Sequence, residues 1–261
     1  MDKYATWLTC GGVAAGVVGL GLATDERLGT TPALTAAGAL AGGAYLVGTF
    51  SRESPVFGRP ARARCVEGQF ALTFDDGPDP RYTPRISEYL ASRGHRATFF
   101  VLGRSVARNP DVACQLLAGG HEIANHGTDH RLLAFSTPSV VREQIVATEN
   151  AVHDATGRLP VRLFRAPHGV RSPWLVATMG SLGYRLCGWH GHVFDTSEPG
   201  VAAIIERVTK LLGPGAVVLL HDGDGSGRAA PRDQTVDALP AILDAAEERG
   251  LRSVPLSTLV Q

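Results

Sequence analysis

The feature that most constrains the fold is a regular alternation of short apolar runs and amphipathic stretches, which continues from residue 69 to the C-terminus. Seven apolar runs are typical of strands: Phe70–Phe74, Ala97–Leu102, Glu122–Asn125, Leu163–Phe164, Arg185–Cys187, Ala216–Leu220 and Leu251–Val254. Helical patterns begin at Thr83-Pro84 and recur over 111–118, 138–155, 173–181, 201–211 and 234–248. This alternation indicates an α/β fold with a parallel sheet. Polar residues follow several of the runs, so we predict a distorted (β/α) barrel of about seven strands with its site at the carboxyl ends of the strands.

The N-terminal region has a different character. Tyr4–Thr24 and Leu28–Ser51 contain no charged residue and are separated only by Asp25–Arg27. Each stretch is long enough to cross a bilayer as a helix, which takes roughly 20 apolar residues. We therefore predict a membrane anchor in residues 1–51 that consists of two transmembrane helices. A single span with a peripheral second segment is the alternative, and a cleaved signal peptide is disfavoured because the first three residues carry no net positive charge.

Two further segments complete the predicted organisation. Residues 52–68 form a linker that contains Pro and Arg, and residues 69–261 form the α/β domain. The arginines of the linker favour a cytoplasmic domain by the positive-inside rule, but a single charged flank does not fix the orientation. The sequence therefore predicts a location at the cell membrane and leaves the side of the domain open.

Charge and cysteine content exclude some functions. The chain has 25 basic and 25 acidic residues, and this balance gives no electrostatic signature for nucleic acid. The four cysteines never occur in Cys-x-x-Cys spacing, which disfavours a cysteine-based zinc site.

Carboxylates and imidazoles follow two of the predicted strands. Asp75 and Asp76 come directly after the first strand and precede Gly-Pro, which predicts a tight turn that holds two carboxylates near one point. His126 and His130 follow the third strand, and this spacing predicts that both lie on one face of a helical turn and bind one metal ion. A carboxylate with two imidazoles leaves open positions on the metal, as catalysis requires.

Three later blocks also follow strands. Arg165 begins Arg-Ala-Pro-His-Gly, and its guanidinium can orient a carboxylate. His221 ends an apolar strand and is a candidate general acid, because the unperturbed pKa of His lies near neutrality. The fourth block runs from Trp189 to Asp195. Within it His190 and His192 are interpreted as structural or groove-lining, and the Gly-rich run from Asp222 to Arg228 as a mobile loop or a solvated turn.

These five blocks, in this order, resemble the motifs of the polysaccharide deacetylases (NodB homology domain, carbohydrate esterase family four). Thr-Phe-Asp-Asp-Gly-Pro at 73–78 and the His-x-x-x-His at 126–130 are its most specific elements. The resemblance implies the NodB-like barrel and a divalent metal ion, usually zinc, although cobalt and other ions are also used. It implies Asp75 as general base, with Asp76, His126 and His130 as metal ligands.

The resemblance also assigns roles to the later blocks. Arg165 is expected to support Asp75, and Asp195 to tune the general acid His221. Pro167, His168 and Trp189 are expected at the oxyanion hole and substrate groove. His168 stands where the family has a Tyr whose backbone N–H helps to form the oxyanion hole.

The fourth block departs from the family pattern. The family reads Asp-x-x-Asp-Trp, whereas this chain reads His-Val-Phe-Asp-Thr at 192–196. The missing Trp usually forms one wall of the sugar groove, and Trp189 is a possible substitute. The departure puts binding of a long polymer in question.

The predicted function is metal-dependent removal of N-acetyl groups from a glycan that contains an amino sugar, with release of acetate. Peptidoglycan, a chitin-like oligomer and a lipid-linked or small glycan all fit as substrates. One alternative is a hydrolase of a non-sugar amide or ester on the same scaffold. Another, less favoured, is an inactive membrane-bound carbohydrate-binding protein. The expected partners are the glycan and the membrane, with no nucleic acid, and the oligomeric state is open.

Overall fold

A computed structural model describes residues 32–50, 57, 61 and 63–260. Its centre is a seven-stranded sheet in the order β5-β4-β3-β2-β1-β6, in which β7 pairs with the start of β1 and every pairing is parallel. The strands are β1 (Gln69–Asp75), β2 (Ala97–Val101), β3 (Glu122–Asn125), β4 (Leu163–Phe164), β5 (Arg185–Leu186), β6 (Val217–His221) and β7 (Arg252–Ser253). All seven strands lie where the sequence predicts them.

Most of the described helices connect successive strands, while the first precedes β1 and the last follows β7. They are α1 (Pro32–Phe50), α2 (Thr83–Ser92), α3 (Gly103–Arg108), α4 (Pro110–Ala118), α5 (Pro138–Thr156), α6 (Pro173–Ser181), α7 (Val201–Leu211), α8 (Asp233–Glu247) and α9 (Leu256–Leu259). Three single turns of 3₁₀ helix lie at Leu133–Phe135, Pro167–Gly169 and Asp195–Ser197. The short helices α3 and α9 were not predicted, because six and four residues are too few for a periodic apolar pattern.

The sheet is an open half-barrel rather than a closed barrel. Within the described residues no strand ladder joins β5 to β6. The gap is spanned where the backbone N–H of His190 donates to the carbonyl of Val217 at 2.8 Å. β5 has only two residues, and beside it the backbone N–H of Ala61 donates to the carbonyl of Leu186 at 2.7 Å.

The central strand β1 shows how the core directs the site. Phe70, Leu72 and Phe74 alternate along β1 and pack into the main core with side chains of the surrounding helices. The residues between them face the opposite side of the sheet, because successive strand side chains point to opposite faces. Asp75 at the end of β1 therefore shares the inner face with Thr73.

The N-terminal region does not support the predicted transmembrane hairpin. Tyr4–Thr24 lies outside the described residues, and the second predicted span corresponds to α1, which is rich in Gly and Ala rather than Leu. None of the described helices combines the length and the apolar character that a bilayer crossing requires. Instead the end of α1 contacts the domain, where the backbone N–H of Arg171 donates to the carbonyl of Thr49 at 3.1 Å.

Candidate active site

Four neighbouring strands bring the predicted residues to one edge of the sheet. Asp75 pairs in register with His221 of β6 and with Phe100 of β2, and Val101 pairs with Asn125 of β3. Because the strands are parallel, their carboxyl ends lie side by side. The residues that end or follow β1, β3 and β6 therefore meet in space although more than 140 positions separate the first from the last.

Asp76, His126 and His130 form a compact cluster, the metal triad. The Oδ1 atom of Asp76 lies 3.2 Å from His130 Nε2 and 3.5 Å from His126 Nε2. One ligand atom from each residue lies within 4.8 Å of the others. Among the described residues this is the one group of His, Cys, Asp or Glu side chains that is arranged to hold a metal ion.

The hydrogen bonds around the triad fit a bound cation. His126 Nδ1 lies 2.8 Å from the carbonyl oxygen of Arg165, so Nδ1 must donate, and in its neutral form the ring presents the lone pair of Nε2 to the cluster. Asp76 Oδ1 is buried and has no hydrogen-bond partner. A carboxylate oxygen and an imidazole lone pair that face each other in a buried site repel unless a cation or a proton lies between them.

The charge states of Asp76 and His130 agree with a ligand role. For His126 burial lowers the pKa, but the nearby carboxylates of Asp75 and Asp76 outweigh it, so the pKa is raised and this ring holds a proton more readily. Burial opposes a charge on Asp76, yet the neighbouring His126, His130 and His221 hold the pKa of its carboxyl well below the ordinary value. Burial lowers the pKa of His130 to about 3, which leaves this imidazole neutral. An ionised carboxylate and a neutral imidazole are the forms that bind metals.

The predicted helical turn between the two histidines is wrong. Residues 126–130 form an irregular bend in which Gly127 has φ 80° and His130 has φ 60°. The left-handed backbone at Gly127 favours glycine because a Cβ is strained there. The bend is fastened by Gln144, whose side-chain oxygen accepts the backbone N–H of Thr128 at 2.9 Å. The two histidines are thus brought together by a bend with left-handed backbone at Gly127 and His130, and not by a helical turn.

Asp75 is held by a buried arginine. Arg165 is 0% exposed, and its Nη1 donates to Asp75 Oδ1 at 2.7 Å and to Thr73 Oγ1 at 2.9 Å. Its guanidinium also lies over the rings of Phe100, at 4.0 Å, and Trp189, at 5.5 Å. The other oxygen of Asp75, Oδ2, faces the triad, 3.7 Å from His126 Nε2. One carboxylate oxygen is therefore fixed while the other is directed into the site.

His221 and Asp195 form a second pair, in which Asp195 is buried and His221 is partly exposed. His221 Nδ1 lies 2.9 Å from Asp195 Oδ1, and the backbone N–H of His221 donates to Asp195 Oδ2 at 2.8 Å. Thr235 donates a third hydrogen bond to the same carboxylate at 3.0 Å. Burial opposes a charge on His221, but Asp195 outweighs it, and the pKa of His221 is raised to about 9. The imidazole is therefore protonated at neutral pH and can donate a proton.

The expected oxyanion turn is the 3₁₀ turn at Pro167–Gly169. His168 has φ 62°, and its ring lies beside the ring of His130 with 4.4 Å between centroids. Trp189 lies behind this turn, since a Cβ on Gly169 would stand 2.7 Å from Trp189 Cη2. The structure thus places Trp189 against Arg165 and Gly169, where it supports the turn and the guanidinium.

Comparison with known proteins gives the family. Residues 64–187 match the sequence model of polysaccharide deacetylases. The chain is 37% identical over 194 residues to a chitooligosaccharide deacetylase of Bradyrhizobium sp. (strain ANU 289), covering 72% of this chain and 89% of that protein. It is 38% identical over 193 residues to a peptidoglycan-N-acetylglucosamine deacetylase of Bacillus cereus, covering 73% and 87%. The chain belongs to the polysaccharide deacetylase family.

A solved structure agrees with this assignment. The peptidoglycan N-acetylglucosamine deacetylase Bc1960, in complex with a naphthyl-substituted N-hydroxybenzamide, superposes with a TM-score of 0.71 at 28% identity. The match covers 76% of this chain and 91% of that one. The family resemblance stated from the motifs is confirmed, and with it the class of enzyme, a hydrolase of carbon–nitrogen bonds other than peptide bonds.

The structure of this polysaccharide deacetylase also shows residues that the sequence did not single out. Asp222, predicted to lie in a mobile or solvated turn, is 1% exposed and accepts a 2.5 Å hydrogen bond from Thr83 Oγ1. Burial raises the pKa of Asp222 to about 7. Phe194, just before Asp195, is 57% exposed and stacks on His192 with 4.6 Å between ring centroids. His190 has a structural role, because its Nδ1 accepts the backbone N–H of Val217 at 2.9 Å.

Proposed function

We propose that this enzyme uses a divalent metal ion, zinc in the first instance, to remove N-acetyl groups from a glycan that contains N-acetylglucosamine, releasing acetate. The observation that carries the proposal is the buried, unpartnered Oδ1 of Asp76 between two imidazole nitrogens. Next to it lie a carboxylate held by arginine and an imidazole with a raised pKa. The relatives named above, which are deacetylases of chitooligosaccharides and peptidoglycan, support the substrate class.

Asp76, His126 and His130 would hold the ion. When bound there, the ion supplies a Lewis acid that polarises the acetyl carbonyl and lowers the pKa of a water molecule toward neutrality. Asp75 Oδ2 takes the proton of the attacking water, because Arg165 fixes the other carboxylate oxygen and leaves Oδ2 directed into the site.

Two other residues act on the oxyanion and on the leaving group. The backbone N–H of His168 donates to the developing oxyanion, and a donor of this kind is worth roughly 10²–10³ in rate. His221 then gives its proton to the leaving nitrogen, without which C–N cleavage would expel an amide anion. Asp195 holds the ring of His221 with Nδ1 as donor, so the proton that is transferred comes from Nε2.

The test is acetate release by the metal-loaded full chain from a panel of substrates. The panel contains N-acetylglucosamine oligomers, a peptidoglycan fragment, and matched non-sugar acetamides and acetate esters. We expect turnover of the glycans and little or none of the others. Preferential turnover of a non-sugar amide or ester would instead establish the alternative hydrolase on the same scaffold.

Measurement of the metal content distinguishes a metal-dependent enzyme from an inactive carbohydrate-binding protein. We expect one divalent ion per chain after loading with Zn²⁺ and dialysis, and recovery of activity when Zn²⁺ or Co²⁺ is returned to chelated protein. A chain that binds glycan but holds no ion and releases no acetate would establish the carbohydrate-binding alternative.

We also propose that the N-terminal region attaches the enzyme to the cell membrane. The uncharged stretches Tyr4–Thr24 and Leu28–Ser51 support this, as do the exposed apolar side chains Leu40, Leu46, Val47 and Phe50 on α1. Fractionation of cells with a high-salt wash tests the attachment, and protease treatment of intact cells determines the side of the domain. Recovery of the intact chain entirely in the soluble fraction would contradict it.

A further inference from the structure

A loop after β6, residues 222–230, lies directly against the metal triad; we call it the cover loop. A Cβ on Gly225 would stand 2.5 Å from His130 Cγ and 2.9 Å from Asp76 Oδ1. Gly225 does not have a positive φ, so a left-handed backbone is not the reason for a glycine at this position. The glycine is required because the main chain touches two metal ligands.

The cover loop is a folded unit. The carboxylate of Asp224 accepts the backbone N–H groups of Ser226, Arg228 and Ala230 at 2.7–3.2 Å. Arg232 Nε donates to the carbonyl of Gly223 at 2.8 Å. These hydrogen bonds fix the shape of the loop, so Gly225 is presented to His130 in one position.

Arg104 on α3 connects the cover loop to the opposite side of the triad. Its Nη2 donates to the carbonyl of Gly225 at 2.6 Å, while its backbone N–H donates to the carbonyl of Thr128 at 3.1 Å. Thr128 lies between the two histidine ligands. A single residue therefore holds both the loop that covers His130 and the bend that carries it.

His130 needs such support. Its φ of 60° is in the left-handed region, which is strained for a residue with a Cβ and persists only where the surroundings enforce it. The side chain of His130 is 16% exposed, and two groups lie against its ring: the ring of His168, at 4.4 Å between centroids, and the backbone of Gly225.

We propose that Arg104 is a positioning residue that latches the cover loop over His130 and thereby retains the metal ion. The inference rests on the proposed metal-dependent function. Its consequence is kinetic: opening of the latch lets His130 rotate away, and the ion then escapes from a two-ligand site.

The experiment measures metal loss without any substrate. Full-length protein loaded with Zn²⁺ is mixed with excess chelator, and the rate of Zn²⁺ release is followed for the wild type, Arg104→Leu and Arg104→Lys. Arg108→Leu is the matched control, because Arg108 is exposed at the end of the same helix. We expect Arg104→Leu to release Zn²⁺ about 10–100-fold faster, the usual effect of losing support around a ligand. Arg104→Lys should restore part of the retention, and Arg108→Leu should match the wild type.

A second pair of variants tests the contact itself. Gly225→Ala places a methyl group against His130 and Asp76, and should alter the visible absorption of the Co²⁺-loaded protein and weaken Co²⁺ binding. Gly213→Ala is the control, since a Cβ there meets nothing within 4 Å. Circular dichroism confirms folding of each variant.

The outcomes separate this inference from the proposed function. If the wild type binds no Zn²⁺, the proposed function fails. If the wild type binds Zn²⁺ while Arg104→Leu releases it no faster than Arg108→Leu, the metal site stands and the latch is wrong.

Discussion

The two ends of the sheet bury polar groups in different ways. At the amino ends of the strands, His121 Nδ1 accepts the backbone N–H of Ala97 and Nε2 donates to the carbonyl of Ser87. His95 is paired in the same manner, between the backbone N–H of Ser253 and the carboxylate of Glu247. Both rings have protein partners at both nitrogens.

At the carboxyl ends the pairing is incomplete. Asp76 Oδ1 and Asp222 Oδ1 are buried without hydrogen-bond partners, and Asp76, His130 and His168 have left-handed backbone. An unpaired buried polar atom costs about 1–3 kcal/mol, and strained backbone adds to that cost. The amino end therefore contributes to folding, whereas the carboxyl end holds unpaired polar groups, among them Asp76 of the proposed metal site.

The largest expected effect is at the carboxyl end. Asp75→Asn keeps a hydrogen-bond acceptor for Arg165 but removes the base, so kcat should fall by about 10²–10⁴. The metal content should stay the same, because Asp75 is not one of the three ligands. Acetate release and metal analysis on the same sample check both halves, and near-native release would show that Asp75 is not the base.

A second prediction concerns the proton donor. In Asp195→Asn the raising effect of the carboxylate on the pKa of His221 is lost, so His221 releases its proton at lower pH. The basic limb of the kcat/KM profile should therefore move down by roughly 1–3 pH units. An unchanged basic limb would mean that another group supplies the proton.

At the amino end we expect a change in stability and none in chemistry. His121→Leu leaves the N–H of Ala97 and the carbonyl of Ser87 unpaired, which should lower the free energy of unfolding by about 1–3 kcal/mol. Burial lowers the pKa of His121 from 6.5 to about 4, so unfolding takes up a proton and stability falls as the pH drops through this range. That fall should be shallower in the variant. If His121→Leu lowered kcat and left thermal unfolding unchanged, the amino end would have a catalytic role and the contrast between the two ends of the sheet would be wrong.

The smallest expected effect is at His168, where a substitution distinguishes the role of the backbone N–H from that of the imidazole. Asn tolerates the left-handed conformation and keeps the backbone N–H, so His168→Asn should leave kcat nearly unchanged. Steady-state kinetics on the metal-loaded variant check this. A fall of an order of magnitude or more would assign a role to the imidazole.

Much of this site could be predicted from the sequence because its residues follow strands. The patterns of β1, β3 and β6 gave the strand ends, and parallel pairing then places Asp75, His126 and His221 together. The bend between His126 and His130 was predicted as a helix because i, i+4 spacing is ambiguous without the φ of Gly127. Burial of Asp222 and the reach of Arg104 to Gly225 depend on contacts between residues 121 or more positions apart, which no local pattern encodes.

The sequence by itself determined the parallel α/β architecture, the family and the set of polar residues at the carboxyl ends of the strands. Periodicity and motif order are local properties, and they can be read along the chain. The tertiary structure alone decided that the sheet stays open between β5 and β6, that Trp189 supports Arg165, and that Asp76 Oδ1 has no protein partner. Each of these depends on which distant segments of the chain come into contact, and those contacts form only when the chain has packed.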